Sequence, residues 1–562
     1  MSDFFSKSII NSWDKAILNS VAETRKYLPI TTQDRLSLIK LARSLLLEKI
    51  THKKSLITNH YNNFSFKQSV FVFVTLLNKE KTICCLGSSM QEENLFLTVK
   101  NIVKEMLMQI AEKKLNLTAY FEIELLFDEE LDTSKFNLGL HAVRLVGTDY
   151  YFKSSVPIKK QWEWDELVDY LYQKASINES NSGFASKISL FKTMVFREIP
   201  ISPEGAELQD LYRHNELFLH AEITKVLLLK SLHNAQKYLQ YALLKDINKI
   251  IYCYKPISRK KIPPQNISEW IRIFASLWAL LETSHKLDVN IILQIRAFLD
   301  HTMNDQSIFE QEKIVDLGTN ALITLCEQLL GRYESNAEYF DKTQFLSSFI
   351  ESNGSFYTYF TDNKYYKGDE HQYFLPFMAM IALLREGNKE YLDKISTLCL
   401  PFYLSFYKNS TPEKQLAMSM WLCRVLFEIY QHIPNEYYVE ILFNICDFLC
   451  SWQNYFLDEN IDLLGTFTHD FTTCTTAVVL ESLGIGLMFV ANKDESRYKK
   501  YQESILLGMR FLMQMQYTHQ NCFNDHLIGG FRFSPFNPEI RVDVVQHAVF
   551  AISNLLHAEK LS

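Results

Sequence analysis

The stretch FLMQMQYTHQNCFNDHLIGGF, residues 511–531, decides the fold, because the same order of features returns elsewhere in the chain. A helical run ends near Gln516, a polar loop follows, and Gly529 and Gly530 lead into Phe531. A glycine can adopt the positive φ of a tight turn. We therefore expect the loop to reverse the chain and to place the aromatic ring between consecutive helices. Comparable runs occupy 237–256, 345–360 and 445–467, and a looser one occupies 317–333.

These repeats predict the arrangement of the second half of the chain. One helical pair cannot bury both of its faces, so repeated pairs must pack side by side around an axis. Apolar periodicity and typical helix lengths give about twelve helices between residues 215 and 557. Twelve helices in antiparallel pairs predict an all-α (α/α)6 toroid over 215–557. The segments 266–282, 369–384, 475–483 and 529–552 resemble, in architecture, the toroids of carbohydrate-active epimerases, hydrolases and lyases and of terpenoid cyclases.

Composition and charge limit the classes of function. A chain of 562 residues is too long for one ordinary core. Its 16 glycines and 13 prolines are few for this length, which favours long helices. A net charge of −7 without a long basic stripe argues against a nucleic-acid partner. Apolar runs such as 70–77 are too short to cross a bilayer, and we find no signal-peptide pattern. We expect a cytoplasmic protein from an AT-rich bacterial genome, and delivery outside the producing cell stays open.

The first part of the chain mixes helix and strand patterns. The run 68–78 is rich in β-branched and aromatic residues, as a buried strand is, and 81–89 follows as its hairpin partner. Helices are expected at 31–50, 94–113 and 162–175, and a further strand at 119–127. The run 139–157 predicts a strand, a turn at Gly147 and a second strand. The sequence therefore predicts a helical extension at 1–29, an N-terminal α+β domain at 30–178, a Ser-, Asn- and Pro-containing linker at 179–214, and the toroid at 215–557.

Several motifs of the α+β region fall in the order found in the AMMECR1 family. They are VFVTL at 72–76, CLGS at 85–88, EIELL at 122–126, LGLHAVRL at 138–145 and WDELVDYLYQKA at 164–175. Residues 30–178 thus resemble this family, and the resemblance implies its α+β fold and a possible protein partner. The family's biochemical role is not settled, so the resemblance informs the fold more than the function.

The chain departs from the family signature Leu-Arg-Gly-Cys-Ile-Gly. Ile83 stands in place of the arginine and Cys84 in place of the first glycine. An anion or partner held by that arginine cannot be held here in the same way. Cys85 and His141 are open to two interpretations, as packing residues or as reactive groups, and the first is favoured.

The apolar helix predicted at 540–556 carries an unexpected set of polar residues at its start. Arg541, Asp543, Gln546 and His547 lie among valines and alanines that line two sides of the helix. We expect Asn537 to cap this helix, with Pro538 in its first turn. Asp543 and His547 are four residues apart and should share a face. In a toroid the inner helices start at one rim, so these groups should line a central cavity.

Other predicted helix starts offer groups of the same kind. They supply carboxylates, histidines, arginines and aromatic rings, which a sugar-binding site uses for proton transfer, hydrogen bonding and stacking. The candidate catalytic residues are His547, Asp543, Glu370 and His371. The candidate substrate-binding residues are Arg541, Arg532, Arg272, Trp270, Tyr373, Gln546 and Glu481.

Two functional hypotheses follow. In the first, the toroid binds or acts on a carbohydrate-like small polar molecule in its cavity, with His547 and Glu370 transferring protons and Arg541 and Arg272 binding anions or hydroxyls. In the second, the chain is a non-enzymatic interaction scaffold with a degenerate AMMECR1-like domain, and the Asp–His pair only joins helix ends. No nucleotide loop, serine-hydrolase elbow or zinc-binding HExxH motif is present, so we expect no cofactor and no metal.

Overall fold

The computed structural model describes a sheet region followed by a ring of helices. It covers residues 5, 7–25, 30–52, 70–78, 81–89, 94–110, 115, 117–175, 188–200, 206–246, 249–284, 289–304, 315–331, 342–361, 364–490, 493–522 and 524–561. An N-terminal helix, α1 (Lys7–Arg25), precedes the sheet region. Its Trp13 donates a hydrogen bond of 3.0 Å to Glu503, so this helix packs against the helical ring.

The sheet region is built on one eight-stranded sheet. Its strands are β1 (Phe71–Asn78), β2 (Lys81–Ser89), β3 (Tyr120–Glu130), β4 (His141–Leu145), β5 (Tyr151–Phe152), β6 (Ile188–Pro200), β7 (Ala206–Tyr212) and β8 (Asn215–Glu216). All pairs are antiparallel, in the order β2-β1-β3-β6-β4-β5, with β7 joining β6 to β8. Alternation along β1 buries Val72 and Val74 in the main sheet core.

Helices cover this sheet. They are α2 (Thr32–Thr51), α3 (Leu95–Gln109), α4 (Ser155–Lys160) and α5 (Trp164–Lys174). Leu38 of α2 and Val103 of α3 share one apolar core with the sheet, while Leu167 and Leu171 of α5 share a smaller one with β4. Most helices and strands predicted for this region up to residue 175 are confirmed, with ends that differ by a few residues. The strand predicted to end at 157 stops at Phe152, and the helix α4 begins within its predicted range.

The predicted linker is wrong over most of its length. Residues 188–200 and 206–212 are β6 and β7, and β6 lies inside the sheet, between β3 and β4. Serine, asparagine and proline at both ends of this segment indicated a linker. The run ISLFKTMVF within it, at 188–196, has the β-branched and aromatic content of a buried strand. Residues 179–187 and 201–205 of the predicted linker lie outside the described residues.

Six inner helices close into a ring in the second half of the chain. In the order in which they touch around the ring they are α7 (Ile267–Thr283), α9 (Leu317–Gly331), α11 (Leu375–Glu386), α14 (Pro412–His432), α16 (Thr473–Val490) and α18 (Val542–Leu561), and α18 contacts α7 again. This closure confirms the (α/α)6 toroid. By length and apolar composition α16 could cross a membrane, but here it is a mostly buried member of the ring.

The outer layer alternates with the inner helices along the chain. It consists of α6 (Lys225–Leu243), α8 (Val289–Asn304), α10 (Lys342–Ser347), the pair α12 (Lys389–Lys394) and α13 (Leu400–Lys408), α15 (Glu436–Cys450) and α17 (Glu495–Met515). Two small three-stranded sheets join the loops at one rim. One is formed by β9 (Cys253–Lys255), β10 (Lys260–Ile262) and β14 (Ile540–Arg541), and the other by β11 (Val315–Asp316), β12 (Tyr359–Thr361) and β13 (Lys364–Tyr366). Because each inner helix follows an outer one, all inner helices start at this rim.

The repeated turns occupy equivalent places in the ring. Phe356, Phe467 and Phe531 are fully buried, and each forms an isolated bridge back to the end of the preceding helix. The glycine before each of them, at 354, 465 and 529, has φ close to +90°. A Cβ at any of the three would overlap a backbone carbonyl of an outer helical segment, namely that of Leu398, Leu507 or Asn234. Only glycine permits this close approach of two backbones.

One predicted helix start is wrong. Ile540 and Arg541 are extended and pair with Tyr254 and Cys253, so the last inner helix begins at Val542. The amide of Val542 donates to the carbonyl of Tyr252, which continues this pairing. Asn537 does not cap the helix, because it lies in a turn closed by hydrogen bonds with Ser534.

Candidate functional site

Polar side chains gather at the rim where the inner helices start, which we call the ring mouth. It contains the first turns of α7 and α18 and the loops that precede them. The Arg541 guanidinium donates two hydrogen bonds to the carboxylate of Asp543, one of them 3.0 Å long. Arg272 of α7 reaches the same carboxylate at 3.4 Å. Two guanidinium groups therefore share one buried carboxylate, which leaves one positive charge in excess.

Aromatic rings surround this charged group. Arg541 lies over the rings of Tyr252 and Phe533, at 5.7 and 5.0 Å from their centroids. Arg272 also donates to the Tyr252 hydroxyl at 3.3 Å. Burial raises the pKa of that hydroxyl to about 12, and the Asp543 carboxylate acts in the same direction. Tyr252 is therefore a neutral hydrogen-bonding group at the ring mouth.

Access differs among the three charged groups. The Arg272 side chain is 39% exposed and that of Arg541 is 25% exposed, whereas Asp543 is nearly buried. The two arginines thus present guanidinium N–H groups to the mouth, and Asp543 holds them in position from below. This arrangement suits binding of an anion, because a planar guanidinium matches carboxylate and phosphate oxygens.

A histidine and a glutamate lie one helical turn deeper. His547 Nδ1 is 3.3 Å from Glu481 Oε2 on the neighbouring helix α16, and it is 3.4 Å from the amide nitrogen of Gln546. A carboxylate accepts hydrogen bonds, so Nδ1 carries the proton and Nε2 keeps its lone pair. Within the described residues Nε2 has no hydrogen-bond partner. A histidine with this tautomer and 12% exposure can accept a proton from a ligand.

The glutamate is fixed by groups that the sequence analysis missed. Arg424 of α14 contacts Glu481 Oε1 at 3.3 Å and lies over the rings of Trp278 and Phe550. The backbone carbonyl of Glu481 accepts from Asn554 of α18. Arg424 could not be paired with Glu481 from the sequence, since the two are 57 positions apart and lie on different helices.

The ring is closed at mid-height. Trp278 of α7 stacks on Trp421 of α14 with their centroids 6.2 Å apart, although these helices lie on opposite sides of the ring. Arg385 of α11 also lies over Trp278 and is paired with Glu282 and Glu428. Side chains therefore fill the centre of the ring at this height, where the sequence analysis predicted a central cavity.

The second predicted group of residues lies across the ring. His371 and Tyr373 immediately precede α11, the helix opposite α18. His371 Nδ1 is 2.7 Å from the Tyr359 hydroxyl, and Tyr373 stacks on Phe406 and below Lys414. Glu370 lies in the same short 3₁₀ turn, Asp369–Tyr373, but its side chain is outside the described part of the chain.

Trp270 and Arg532 have different positions. Trp270 lies in the first turn of α7 beside Phe274, half-buried at the mouth. Arg532 lies over Tyr517 at 4.3 Å and lines a cavity between the ring and the sheet. The adjacent Phe533 contacts Arg541, so the loop before α18 has one side at the ring mouth and the other at this cavity.

The two groups predicted to share a face of α18 contact different helices. Asp543 is joined to α7 through Arg272, and His547 is joined to α16 through Glu481. Four residues on a helix span slightly more than one turn, so the two side chains diverge towards the two neighbours of α18. Tyr252 and Phe533 were not among the candidate residues, although Tyr252 lies in the repeat recognised at 237–256.

The closed ring of paired helices defines the class of protein, an α/α toroid joined to a sheet region. Comparisons with solved structures give similar chains at low identity. An unsaturated glucuronyl hydrolase specific for heparin is 15% identical, with 60% of this chain and 99% of that chain covered and a TM-score of 0.42. The α-1,6-mannanase GH76A of Salegentibacter sp. HEL1_6, an inactive variant in complex with α-1,6-mannotriose, is 8% identical, with coverages of 59% and 99% and a TM-score of 0.42.

A third chain is the uncharacterized protein PH0010 from Pyrococcus horikoshii. It is 17% identical, with 32% of this chain and 99% of that chain covered and a TM-score of 0.27. No protein-family model matches the sequence, and a search of curated proteins finds no relative.

Proposed function

We propose that the ring mouth binds a small sugar acid and transfers a proton at the bound molecule. The observation that carries this proposal is the pairing of two features on α18. Arg541 and Arg272 converge on Asp543 at the mouth, and the His547–Glu481 pair lies one turn below with the lone pair of Nε2 unoccupied.

The charges favour a ligand with a carboxylate. One carboxylate, Asp543, does not neutralise two guanidinium groups, and Arg272 keeps more than a third of its side chain exposed. A ligand carboxylate at this point accepts N–H groups that are already held in place, which reduces the entropy lost on binding. Trp270, Tyr252 and Phe533 supply flat apolar faces for the C–H groups of a sugar ring.

The proposed proton transfer depends on the position of the two arginines at the mouth and of His547 one helical turn below them. A carboxylate held by two arginines has its charge stabilised, and the neighbouring C–H bond becomes more acidic as negative charge develops on that carboxylate. His547 Nε2 is the base, and Glu481 keeps the imidazole in the tautomer that leaves Nε2 unprotonated. Arg424 positions Glu481 and does not contact the ligand.

Titration with D-glucuronate, followed by calorimetry, tests the binding step. The variant Arg272→Gln should weaken binding about tenfold or more, because a charge-assisted hydrogen bond is lost. Arg497→Gln, on the outer helix α17, is the matched control, since Arg497 is also a partly exposed arginine in ion pairs. Glucose lacks the carboxylate and should bind more weakly than glucuronate.

Deuterium exchange tests the proton transfer. In D₂O the wild-type protein should introduce deuterium at the carbon next to the glucuronate carboxylate, as read by NMR. His547→Gln should abolish this exchange while leaving glucuronate binding within about twofold of wild type. Binding without exchange in the wild type would refute the catalytic part of the proposal.

One observation favours the alternative, an interaction scaffold without enzymatic activity. Trp278, Trp421 and Arg424 fill the centre of the ring, and the side chains of Asp543 and Glu481 already have ion-pair partners. Failure of every sugar acid to bind at millimolar concentration would support this reading. The AMMECR1-like assignment, its protein partner and the cytoplasmic location stay predictions.

A further inference from the structure

A cavity of about 100 Å³ lies between the sheet and the ring, separated from the ring mouth by the loop that precedes α18; we call it the junction cavity. Its sheet side includes Glu122, Ser155, Lys159, His214 and Asn215. Its ring side includes Pro256, Ile257, Tyr517, Arg532, Pro535 and Pro538.

Three buried side-chain atoms of residues that line the junction cavity have no hydrogen-bond partner within the described part of the chain. They are Ser155 Oγ, His214 Nδ1 and Asn215 Oδ1. Ser155 and Asn215 are more than nine-tenths buried. An unsatisfied buried polar group costs on the order of 1–3 kcal/mol, so three of them beside one cavity indicate that a molecule satisfies them there.

The tautomer of His214 follows from its neighbours. Ser154 Oγ is 2.7 Å from Glu124 Oε1 and 2.8 Å from His214 Nε2. The carboxylate must accept, so the Ser154 hydroxyl donates to Glu124 and accepts from Nε2–H. Burial lowers the pKa of His214 to about 4, so the ring is neutral. His214 Nδ1 is therefore a bare acceptor that needs a donor from a ligand.

The backbone holds His214 in place at a conformational cost. Arg213 and His214 form the two-residue turn between β7 and β8, with φ of 46° and 62°. Such turns favour Asn-Gly, and neither residue here is of that type. The Arg213 side chain forms an ion pair with Asp462 of the ring region, and His214 lines the junction cavity. Strained turns of this kind are retained where the side chains have a function.

Four cationic side chains line the cavity, and two of them are already engaged, Arg197 with Gln209 and Arg213 with Asp462. Among the described residues, Lys159 and Arg532 have no ion-pair partner, and the only ring contact of Arg532 is Tyr517. Glu122, the one carboxylate of the lining, is already 3.5 Å from Lys153. No group of three or more His, Cys, Asp or Glu that could hold a metal ion is found in the described ranges. The lining thus offers positive charge together with hydrogen-bond acceptors.

We propose that the junction cavity binds a small anion that also carries a hydroxyl group, with Lys159 and Arg532 on the anionic oxygens and His214 Nδ1 accepting from the hydroxyl. Monohydrogen phosphate, phosphate monoesters in their monoanionic form and short hydroxy acids have this combination. Sulfate has the size and charge of phosphate but no hydrogen to donate.

Calorimetric titration of the full chain with inorganic phosphate and with sulfate, at about pH 8 where most of the phosphate is dianionic HPO₄²⁻, tests the proposal. Phosphate should bind at least about tenfold more tightly than sulfate, because sulfate would leave His214 Nδ1 unpaired. D-Glycerate, titrated in parallel, shows whether a hydroxy acid is preferred to phosphate. Equal binding of phosphate and sulfate would overturn the assigned role of His214.

Variants locate the site. Lys159→Gln and Arg532→Gln should each weaken phosphate binding about tenfold, and Lys389→Gln, an exposed lysine of the outer layer, should not change it. His214→Gly removes the acceptor and tolerates the positive φ, so it should bring phosphate and sulfate affinities within about threefold of each other. Circular dichroism confirms that each variant is folded. Phosphate binding that survives Arg532→Gln but is lost in Arg272→Gln would place the anion at the ring mouth and overturn the proposal.

Discussion

The inner ring and its junction with the sheet are stabilised by opposite kinds of contact. The ring has an apolar core in which Phe356, Phe467 and Phe531 occupy equivalent buried positions. Each follows a glycine whose backbone lies against the backbone of a neighbouring segment. The junction adds buried polar contacts to a small apolar cluster of Ile17, Tyr212, Ile461, Leu464 and Leu507. Arg213 and Asp462 are both fully buried and form an ion pair at 2.8 Å, and the Tyr212 hydroxyl donates to the carbonyl of Glu459.

The difference has an energetic meaning. Apolar packing gains stability in proportion to the area buried, so each repeat contributes on its own. A buried ion pair costs desolvation that only its partner offsets, so the loss of one partner is expensive even when the pair adds little in total. We therefore expect the ring to respond to changes of shape and the junction to respond to changes of charge.

The largest effect should come from a glycine of the repeated turns. Gly529→Ala places a methyl group against the carbonyl of Asn234 at a φ of 90°, so neither the space nor the backbone conformation suits it. We expect a loss of about 5 kcal/mol or more in the free energy of unfolding, or failure to fold. Urea denaturation or the yield of soluble protein measures this.

Gly387→Ala is the matched control for that prediction. Gly387 also has a positive φ, 72°, but no atom lies within 4 Å of an added Cβ. Only the backbone cost remains, about 1 kcal/mol. Similar losses in the two variants would show that conformation, and not the contact between backbones, makes the repeated glycines necessary.

The same contrast explains what the sequence could predict. The repeated turns lie within short stretches such as 511–531, so their glycines and aromatics could be recognised directly and the ring predicted. Arg541 and Asp543 are two positions apart and were found together. Arg213 and Asp462 are 249 positions apart, and nothing near either residue indicates the other. The junction cavity was missed for that reason.

The boundaries of segments were harder to predict than their type. Ile540 and Arg541 continue the apolar pattern of the helix that follows them, and only pairing with β9 makes them extended. The strand β6 was not predicted, because the serines and asparagines before it and the prolines after it indicated a linker. In both cases a tertiary contact overrides a local pattern.

The second prediction concerns the buried ion pair of the junction. Asp462→Asn leaves the Arg213 charge buried without a carboxylate and should lower the free energy of unfolding by about 3–4 kcal/mol. The double variant Arg213→Met with Asp462→Leu removes both charges and should recover at least half of that loss. A double variant as unstable as the single one would mean that Arg213 acts through Asn137 and Asn460 as much as through Asp462.

The third prediction is a pH dependence. The pKa of His214 is about 4 in the folded chain, below its ordinary value of 6.5, so the unfolded chain takes up a proton first as pH falls. His214 then stabilises the fold fully above about pH 6.5 and loses about 3 kcal/mol of that contribution as pH falls to about 4. His214→Asn, which tolerates the positive φ, should flatten the dependence in this window. Urea midpoints at neutral pH and near pH 4 measure the difference, and equal slopes for variant and wild type would assign the acid sensitivity to other groups.

The smallest predicted effect concerns the similarity of the repeats within the ring. Gln453 and Gln516 hold equivalent turns, since their side-chain amides donate to the outer-helix carbonyls of Ser504 and Ser231 at 2.8 and 3.0 Å. Replacing either glutamine by leucine leaves one buried carbonyl with fewer partners and should cost about 1–2 kcal/mol. The two losses should agree within about 0.5 kcal/mol and should add in the double variant, because distant sites rarely couple. A larger loss at Gln516 would show that the turn beside the ring mouth stabilises more than its own repeat, because its loop also positions Phe533 and Arg541.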